Sequence, residues 1–520
     1  MTEPYNGNNN GNPASPSLNE KVPRKAWMSL AILGSALLIA MYGETMLLPA
    51  IPDIIEEFDI SYNTSSWILS AYLIAGAVAT PLGGKLSDIY GRKKMITIIL
   101  IIYIIGITLG GLSTNFAFLI VARVIQGIGI SMFPIAFGII RDQFPKDKLA
   151  IGVGVFSSMF AAGSVVGLAL GANIIENFGW RTTFFSIVFV AIGLWFIIRR
   201  YIHDEQESVN AIESQEIHYS SDTVDNKIND RDEEITTSIS KKNIDMKGTV
   251  TLAITIISLL MVLSYSHTDN IEIYQIVMFL FIGITSLVLF VIVERRSRSP
   301  LVNFQLLTNN TILSANIILV IAFLSMFTVF QTIPVLVRSP QPFGFGESVI
   351  TTANIQLPFM IVFLLFAPSS GFIISKLGNV KPTIIGSIVS AVGFSSLLIF
   401  HSNGSLVATN LAVIAGGLSL MQVGGFDIVL QSTPRKFSGI SLGMTVLFTL
   451  IGGSVGPAMA GIIMQANQVF LEGVGSYPSS DSYNLIFLTI ALASLIPIAL
   501  SIFIRRNLSS QNSALTIGVS

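Results

Sequence analysis

Long apolar runs parted by short polar stretches make up most of the chain, and the runs share a common length. A hydrocarbon layer about 30 Å thick is crossed by about 20 apolar residues of α-helix. Runs of that size stand at 26–48, 63–82, 95–112, 116–139, 149–172 and 182–200. After a polar interval they resume at 248–265, 273–293, 311–334, 348–374, 380–400, 407–431, 438–465 and 484–504. The pattern predicts fourteen spanning helices in an all-α integral membrane protein. Helices are required because backbone groups in hydrocarbon must find partners within the segment, and barrel-like alternation is missing.

Two polar stretches differ in kind from the short turns. Residues 1–25, rich in Asn, Pro, Ser and Gly, read as a disordered tail, too long and polar to open a cleavable signal peptide. Residues 203–246 are acidic, serine-rich and poor in core-forming side chains, as a disordered linker would be.

Charge placement tests the count of spans. When connecting segments are assigned alternately to two sides, one side collects Arg24, Lys25, Lys85, Arg92, Lys93, Lys94, Arg141, Arg199, Arg200, Arg295, Arg296, Lys376, Lys381, Arg435, Arg505 and Arg506. The other keeps Arg181 and Arg338 beside the acids Asp53, Glu56, Glu57 and Asp59. Positive loops stay cytoplasmic, so both termini are expected inside a cell membrane. Composition agrees: 52% of residues are hydrophobic and 11% charged, with a mean hydropathy of +0.71, against about 25% charged in soluble domains. A net charge of −1 gives no pull toward nucleic acid. Cysteine is absent and the four histidines are scattered, so neither a metal centre nor another cofactor is expected.

Between the second and third runs stands Gly84-Lys-Leu-Ser-Asp-Ile-Tyr-Gly-Arg-Lys-Lys94. It reads as a short turn at which Gly91 permits a tight bend and Asp88 can cap a helix or pair with Arg92. The fourth run carries Arg123-Val-Ile-Gln-Gly-Ile-Gly129. A charge inside an apolar run is costly, and it normally faces the bundle interior. In the fifth run Gly154, Gly163, Gly167 and Gly171 are spaced by nine, four and four; the last three share a helix face on which another helix can approach closely. A similar element, Gly452-Gly-Ser-Val-Gly-Pro-Ala458 with its Gly456-Pro457 pair, lies in the thirteenth run, and Gly371 to Pro382 echoes the Gly84 loop. Such correspondence fits two related halves.

The spacing G-x-x-x-D-x-x-G-R-K-x, R-x-x-Q-G-x-G and the glycine series resemble the signature motifs of the major facilitator superfamily. The segments Ile244 to Gly248 and Glu294 to Leu301 look like its fourteen-helix drug:proton antiporter branch. The resemblance implies a major facilitator fold of two six-helix bundles, 26–202 and 295–505, with two inserted central helices at 247–294, a cytoplasmic linker at 203–246 and tails at 1–25 and 506–520. It implies a gating loop built on Gly84, Asp88, Gly91 and Arg92, and a packing motif of Gly154, Gly163, Gly167, Gly171, Gly456 and Pro457. Leu168 stands where the glycine motif has proline, and Ala172 where it has a last glycine.

The acids and amides within the runs are candidates for chemistry. Glu44 lies late in the first run, one residue after Gly43, which occupies the position of the aspartate in the family that the chain resembles; Asp427 lies in the twelfth. With Arg123 and Gln126 they form the expected proton-coupling or substrate set, and Phe133, Phe160, Phe359, Met421 and Phe426 could line an adaptable apolar cavity. The expected function is proton-coupled export of lipophilic or cationic compounds by a monomer whose partners are a small-molecule substrate, protons and the bilayer. A facilitator or symporter of a small metabolite, and a membrane sensor derived from a transporter, are the alternatives. With no phosphate-binding loop, metal cluster or nucleophile–base pair evident, no catalytic residue and no enzyme activity are expected.

Overall fold

Without water, a helix buries its backbone polar groups only in itself, and the chain folds accordingly. The computed structural model describes residues 22–145, 149–202, 246–265, 273–297, 300–302, 304–434, 438–471 and 475–517. The tail over 1–21 and the linker over 203–245 lie outside the described residues.

The first group of helices comprises α1 (Arg24–Thr45), α2 (Ile51–Phe58), α3 (Tyr62–Ser65), α4 (Trp67–Tyr90), α5 (Arg92–Gly111), α6 (Phe116–Gly127), α7 (Met132–Gln143), α8 (Leu149–Phe178) and α9 (Trp180–Tyr201). Then come α10 (Met246–Tyr265), α11 (Ile273–Arg296) and the short α12 (Phe304–Leu307). The last group is α13 (Asn310–Arg338), α14 (Val349–Leu377), α15 (Val380–Ile399), α16 (Gly404–Ser432), α17 (Ser438–Ala466), α18 (Ser480–Ala493) and α19 (Leu495–Ile517). An antiparallel hairpin, β1 (Gln468–Leu471) with β2 (Gly475–Pro478), pairs Val469 with Tyr477 between α17 and α18.

Among the described residues, thirteen helical segments are long and apolar enough to cross a membrane, and a shorter apolar stretch, Lys247–Val262, lies in α10. The fourteen runs are thus all helical. The fourth run bends rather than running straight, because a 3-10 turn at Ile128–Ser131 joins α6 to α7. The last run is broken at Ser494 into α18 and α19. Asparagine and serine stop the short connections cleanly: the side chains of Asn115, Asn309 and Asn403 accept from Phe118, Thr311 and Leu406 backbone N–H at 2.9, 2.9 and 3.0 Å.

Small residues set how closely helices pack. A Cβ on Gly163, Gly167 or Gly171 of α8 would lie 2.4–2.7 Å from the backbone oxygens of Leu38 and Tyr42 on α1 and of Met46 just after it. On α17, Gly452 and Gly456 meet the oxygens of Val320 and Leu324 on α13, each at 2.4 Å. Both contacts have backbone lying directly on backbone, where a side chain cannot yield. α8 runs unbroken through the buried Leu168, which stands where the motif would have proline. The placement of Gly154 lies outside the described side chains.

Gly167→Ala and Gly193→Ala separate packing from helix propensity, since nothing stands within 4 Å of a Cβ at Gly193. Both gain the propensity of alanine, and Gly167→Ala alone is expected to lose about 1–3 kcal/mol to overpacking. Thermal unfolding of the two variants in detergent checks this; equal midpoints would contradict it.

Candidate functional site

The end of α1 is held by polar side chains from three other helices. The last carbonyls of a helix have no partner within it. Here Arg123 of α6 donates from Nη1 to the Gly43 oxygen at 2.9 Å, and Gln126 donates to the same oxygen at 3.3 Å. One turn earlier, Tyr103 of α5 donates to the Ile39 oxygen at 2.8 Å and Tyr72 of α4 to the Ala40 oxygen at 3.2 Å. A cation at a helix C-terminus also suits the helix dipole.

Arg123 itself is fully buried. Its Nε donates to the Ile68 oxygen at 2.9 Å, its Nη1 also reaches Gln126 Oε1 at 2.9 Å, and its guanidinium stacks on the Tyr72 ring at 4.4 Å. The fourth span can come this near because glycine follows the pair. A Cβ at Gly127 would lie 2.3 Å from the Tyr72 oxygen. The R-x-x-Q-G sequence is therefore one device, with two polar groups aimed at α1 and a bare turn that admits them.

Glu44 is buried and lies within electrostatic reach of Arg123. Gly43, before it, faces Tyr103 Oη and Gln126 Nε2, which a Cβ there would meet at 2.2 and 2.5 Å. That space is taken, so an acid at position 43 would collide with the tyrosine and the amide. At position 44 the carboxyl instead lines a cavity together with Thr45 of α1, Phe160, Ala161 and Ser164 of α8, Met326 and Phe330 of α13, and Phe359, Met360 and Phe363 of α14. The one-residue shift of the acid puts it on the cavity wall while keeping it within electrostatic reach of Arg123, Tyr72 and Tyr103. The cavity is narrow, about 20 Å³, which holds about one water molecule.

Asp427 is not part of this arrangement. It lies near the end of α16 remote from Glu44, accepts from Gln431 Nε2 at 2.7 Å, and bonds with Asn379, which precedes α15. Of the apolar candidates, Phe160 and Phe359 line the cavity, while Phe133 packs against Phe156 at 5.5 Å between centroids. Sequence reasoning missed Met326, Phe330, Met360 and Phe363. The signal available was their spacing, since 326 with 330 and 359 with 363 are one turn apart.

In the Gly84 loop, Gly91 has φ +91°, the conformation a tight turn between α4 and α5 demands. The Arg92 guanidinium rests against Gly138 of α7, and the Asp88 side chain lies outside the described residues. Far from that loop, Asp53 of α2 and Arg338 at the end of α13 form an ion pair. Below it, Gln331 of α13 donates to Ser65 of α3 at 3.0 Å and Ser70 of α4 to the Ser454 oxygen of α17 at 2.7 Å. These bonds tie the first group of helices to the last at one end. Among the described residues no group of three metal-binding side chains occurs.

An apolar cavity at the meeting of two helix groups, with a buried acid on its wall, belongs to a polytopic carrier of small molecules. Residues 33–457 match the Major Facilitator Superfamily, and the chain belongs to that family. It is a multi-pass membrane transporter and not an enzyme. The multidrug transporter protein MdtP of Bacillus subtilis (strain 168) is 28% identical over 448 residues, 84% of this chain and 75% of that protein. A tetracenomycin C resistance and export protein of Streptomyces glaucescens is 23% identical over 443 residues, 85% of this chain and 76% of its own. The crystal structure of the human organic anion transporter MFSD10 (TETRAN) has the same fold at a TM-score of 0.60 and 13% identity, covering 92% of this chain and 100% of that one.

Arg123→Lys keeps the charge but loses the planar fork that reaches two carbonyls and an amide together. The variant is expected to be less stable by about 1–3 kcal/mol for each buried acceptor left unmet. Its unfolding midpoint in detergent should therefore fall below that of the unaltered protein; an unchanged midpoint would mean that the fork does not hold α1.

Proposed function

We propose that this transporter exports lipophilic compounds in exchange for protons, and that Glu44 is the group that binds both in turn. The observation that carries the reading is the Glu44 carboxyl on the wall of an aromatic cavity, buried beside Arg123. The two curated relatives are named for multidrug transport and for resistance and export, and the likeness extends over most of this chain. Both termini are assigned to the cytoplasm on the distribution of Lys and Arg, which places Asp53 and Arg338 outside.

In this reading the carboxylate of Glu44 holds a compound that enters from the cytoplasm or the inner leaflet. A proton arriving from outside then neutralises it, the compound leaves outward, and the proton is lost inward when the cavity faces the cytoplasm again. Arg123 has one guanidinium nitrogen, Nη2, without a partner among the described residues. When the empty site gives up its proton, Arg123 lies within electrostatic reach of the carboxylate left behind. A hundredfold gradient of an uncharged compound requires about 2.7 kcal/mol, at about 1.4 per factor of ten. One proton crossing 100 mV supplies about 2.3 kcal/mol before any pH gradient, so one proton nearly suffices. The bundles 26–202 and 295–505 are the bodies that rock. Asp427, bonded to Gln431 and remote from Glu44, is assigned to the join between α15 and α16 and not to the proton path.

The decisive experiment measures proton movement in proteoliposomes of the purified protein on adding lipophilic cations and neutral aromatic compounds. Proton release on adding a compound, lost in Glu44→Gln and kept in Asp427→Asn, is the expected result. Release that persists in Glu44→Gln would remove Glu44 from the mechanism. Silence across the panel with folded protein would favour a metabolite facilitator, to which the unbroken α8 at Leu168 is also suited.

A second expectation concerns the outer ion pair. The chain has no cysteine, so Thr45→Cys introduces one thiol at the cavity wall. Adding Asp53→Asn is expected to speed its reaction with a membrane-impermeant thiol reagent applied from outside. No change in rate would mean that Asp53–Arg338 does not hold that end shut.

A further inference from the structure

Gln356 of α14 is 1% exposed, and neither its amide oxygen nor its amide nitrogen has a partner among the described residues. Leaving a buried donor or acceptor unmet costs about 1–3 kcal/mol, so an amide with both ends unmet is a poor choice for packing alone.

Its position on the helix says where it looks. Residues three and four apart share a helix face, and Phe359, Met360 and Phe363, which line the cavity, stand three, four and seven residues after Gln356. Ile355, the preceding residue, turns toward Gly404 of α16 instead. Helical side chains lean toward the N-terminus of their helix, so the Gln356 amide sits one turn beyond Phe359, at the end of the cavity nearer Ser348. Across it, the Phe330 ring packs on Phe359 at 5.5 Å between centroids. The next residue, Gln331, is fully buried, spends its Nε2 on Ser65 and keeps its Oε1 without a partner. Gln331 thus turns to Ser65, while Gln356, by its place on α14, stands one turn from the cavity-lining Phe359 with both ends of its amide unmet among the described residues.

We propose that Gln356 is the polar subsite of the substrate cavity, and that it selects lipophilic aromatic compounds carrying an adjacent donor and acceptor, as a carboxamide or lactam does. This assignment rests on the reading of the cavity as the transport site and names its substrate class. An amide offers one acceptor oxygen and two N–H donors side by side, and only a ligand edge with both functions meets both. A quaternary cation meets neither. The flat body of such a ligand is accommodated by Phe160, Phe330, Phe359 and Phe363 once the two groups of helices part. In the contracted cavity described here the amide is idle, and its unmet bonds favour the expanded, occupied state.

The test uses two probes on one ring system, anthracene-9-carboxamide and methyl anthracene-9-carboxylate, with binding to the purified full chain followed by fluorescence. The carboxamide is expected to bind about tenfold more tightly, the equivalent of one or two net hydrogen bonds. In Gln356→Met that preference should vanish, because the carboxamide loses two partners and the ester one, and a cooperative unfolding transition in detergent shows that the variant is folded. Gln356→Asn, which retains an amide on a shorter arm, should keep part of the preference. Equal affinities in the unaltered protein, or an undiminished preference in Gln356→Met, would overturn the assignment. If Glu44-dependent proton release persists without a carboxamide preference, the subsite alone falls. If neither probe binds and no compound releases protons, the proposed function falls and this assignment with it.

Discussion

Everything about the site depends on one buried guanidinium bonding to the end of a helix. Arg123 closes the Gly43 carbonyl, grips Ile68 on α4 and Gln126 on its own helix, and stacks on Tyr72. Those contacts fix α1, α4 and α6 against one another at the depth where Glu44 leaves α1. Placing a bare cation there would be costly, and the fork is viable because neutral carbonyls and one amide take three of its bonds. The remaining nitrogen, Nη2, has no partner among the described residues.

The glycine stripe performs the complementary task. With α8 lying directly on the α1 backbone at Gly163, Gly167 and Gly171, the wall that carries Phe160 and Ser164 cannot shift independently of the carboxyl that it faces. Thr45 of α1 fastens the same pair of helices where its hydroxyl donates to the Ser164 oxygen of α8 at 3.0 Å. One side of the cavity is rigid as a result. The opposite side, α13 and α14, brings Phe330, Phe359 and Met360, whose thioether and rings can repack around ligands of different outline.

How much of this was legible in the sequence follows from the solvent. Span positions were read directly from apolar length, and the helices match the fourteen runs, because hydrocarbon admits almost no other structure. Arg123 and Glu44 stood out because charge is rare in such runs. What the chain did not disclose is which apolar face looks inward. In water, polarity separates the core from the surface, but in a bilayer the lipid and the interior are equally apolar, so Phe330 and Phe363 read no differently from the exposed Phe189 or Phe281. Asp427 carried the same signal as Glu44, yet it bonds to Gln431 of its own helix and does not line the cavity. The shift of the acid from 43 to 44 was visible; its meaning required knowing that Tyr103 and Gln126 already fill the space at Gly43.

The two central helices have a geometric consequence for traffic. α10 and α11 pack on each other, with Ser286 donating to the Thr251 oxygen at 2.7 Å, and α10 touches α4 and α17. Those two helices form one of the seams between the first and last groups, the other being α8 against α14. The inserted pair therefore stands as a screen along the α4–α17 seam, with most of α11 turned outward to the acyl chains. The two seams are therefore unequal in what they present to the surroundings: α10 and α11 stand over one, while the other, α8 against α14, is lined by Phe160, Phe359 and Phe363 with no such cover among the described residues.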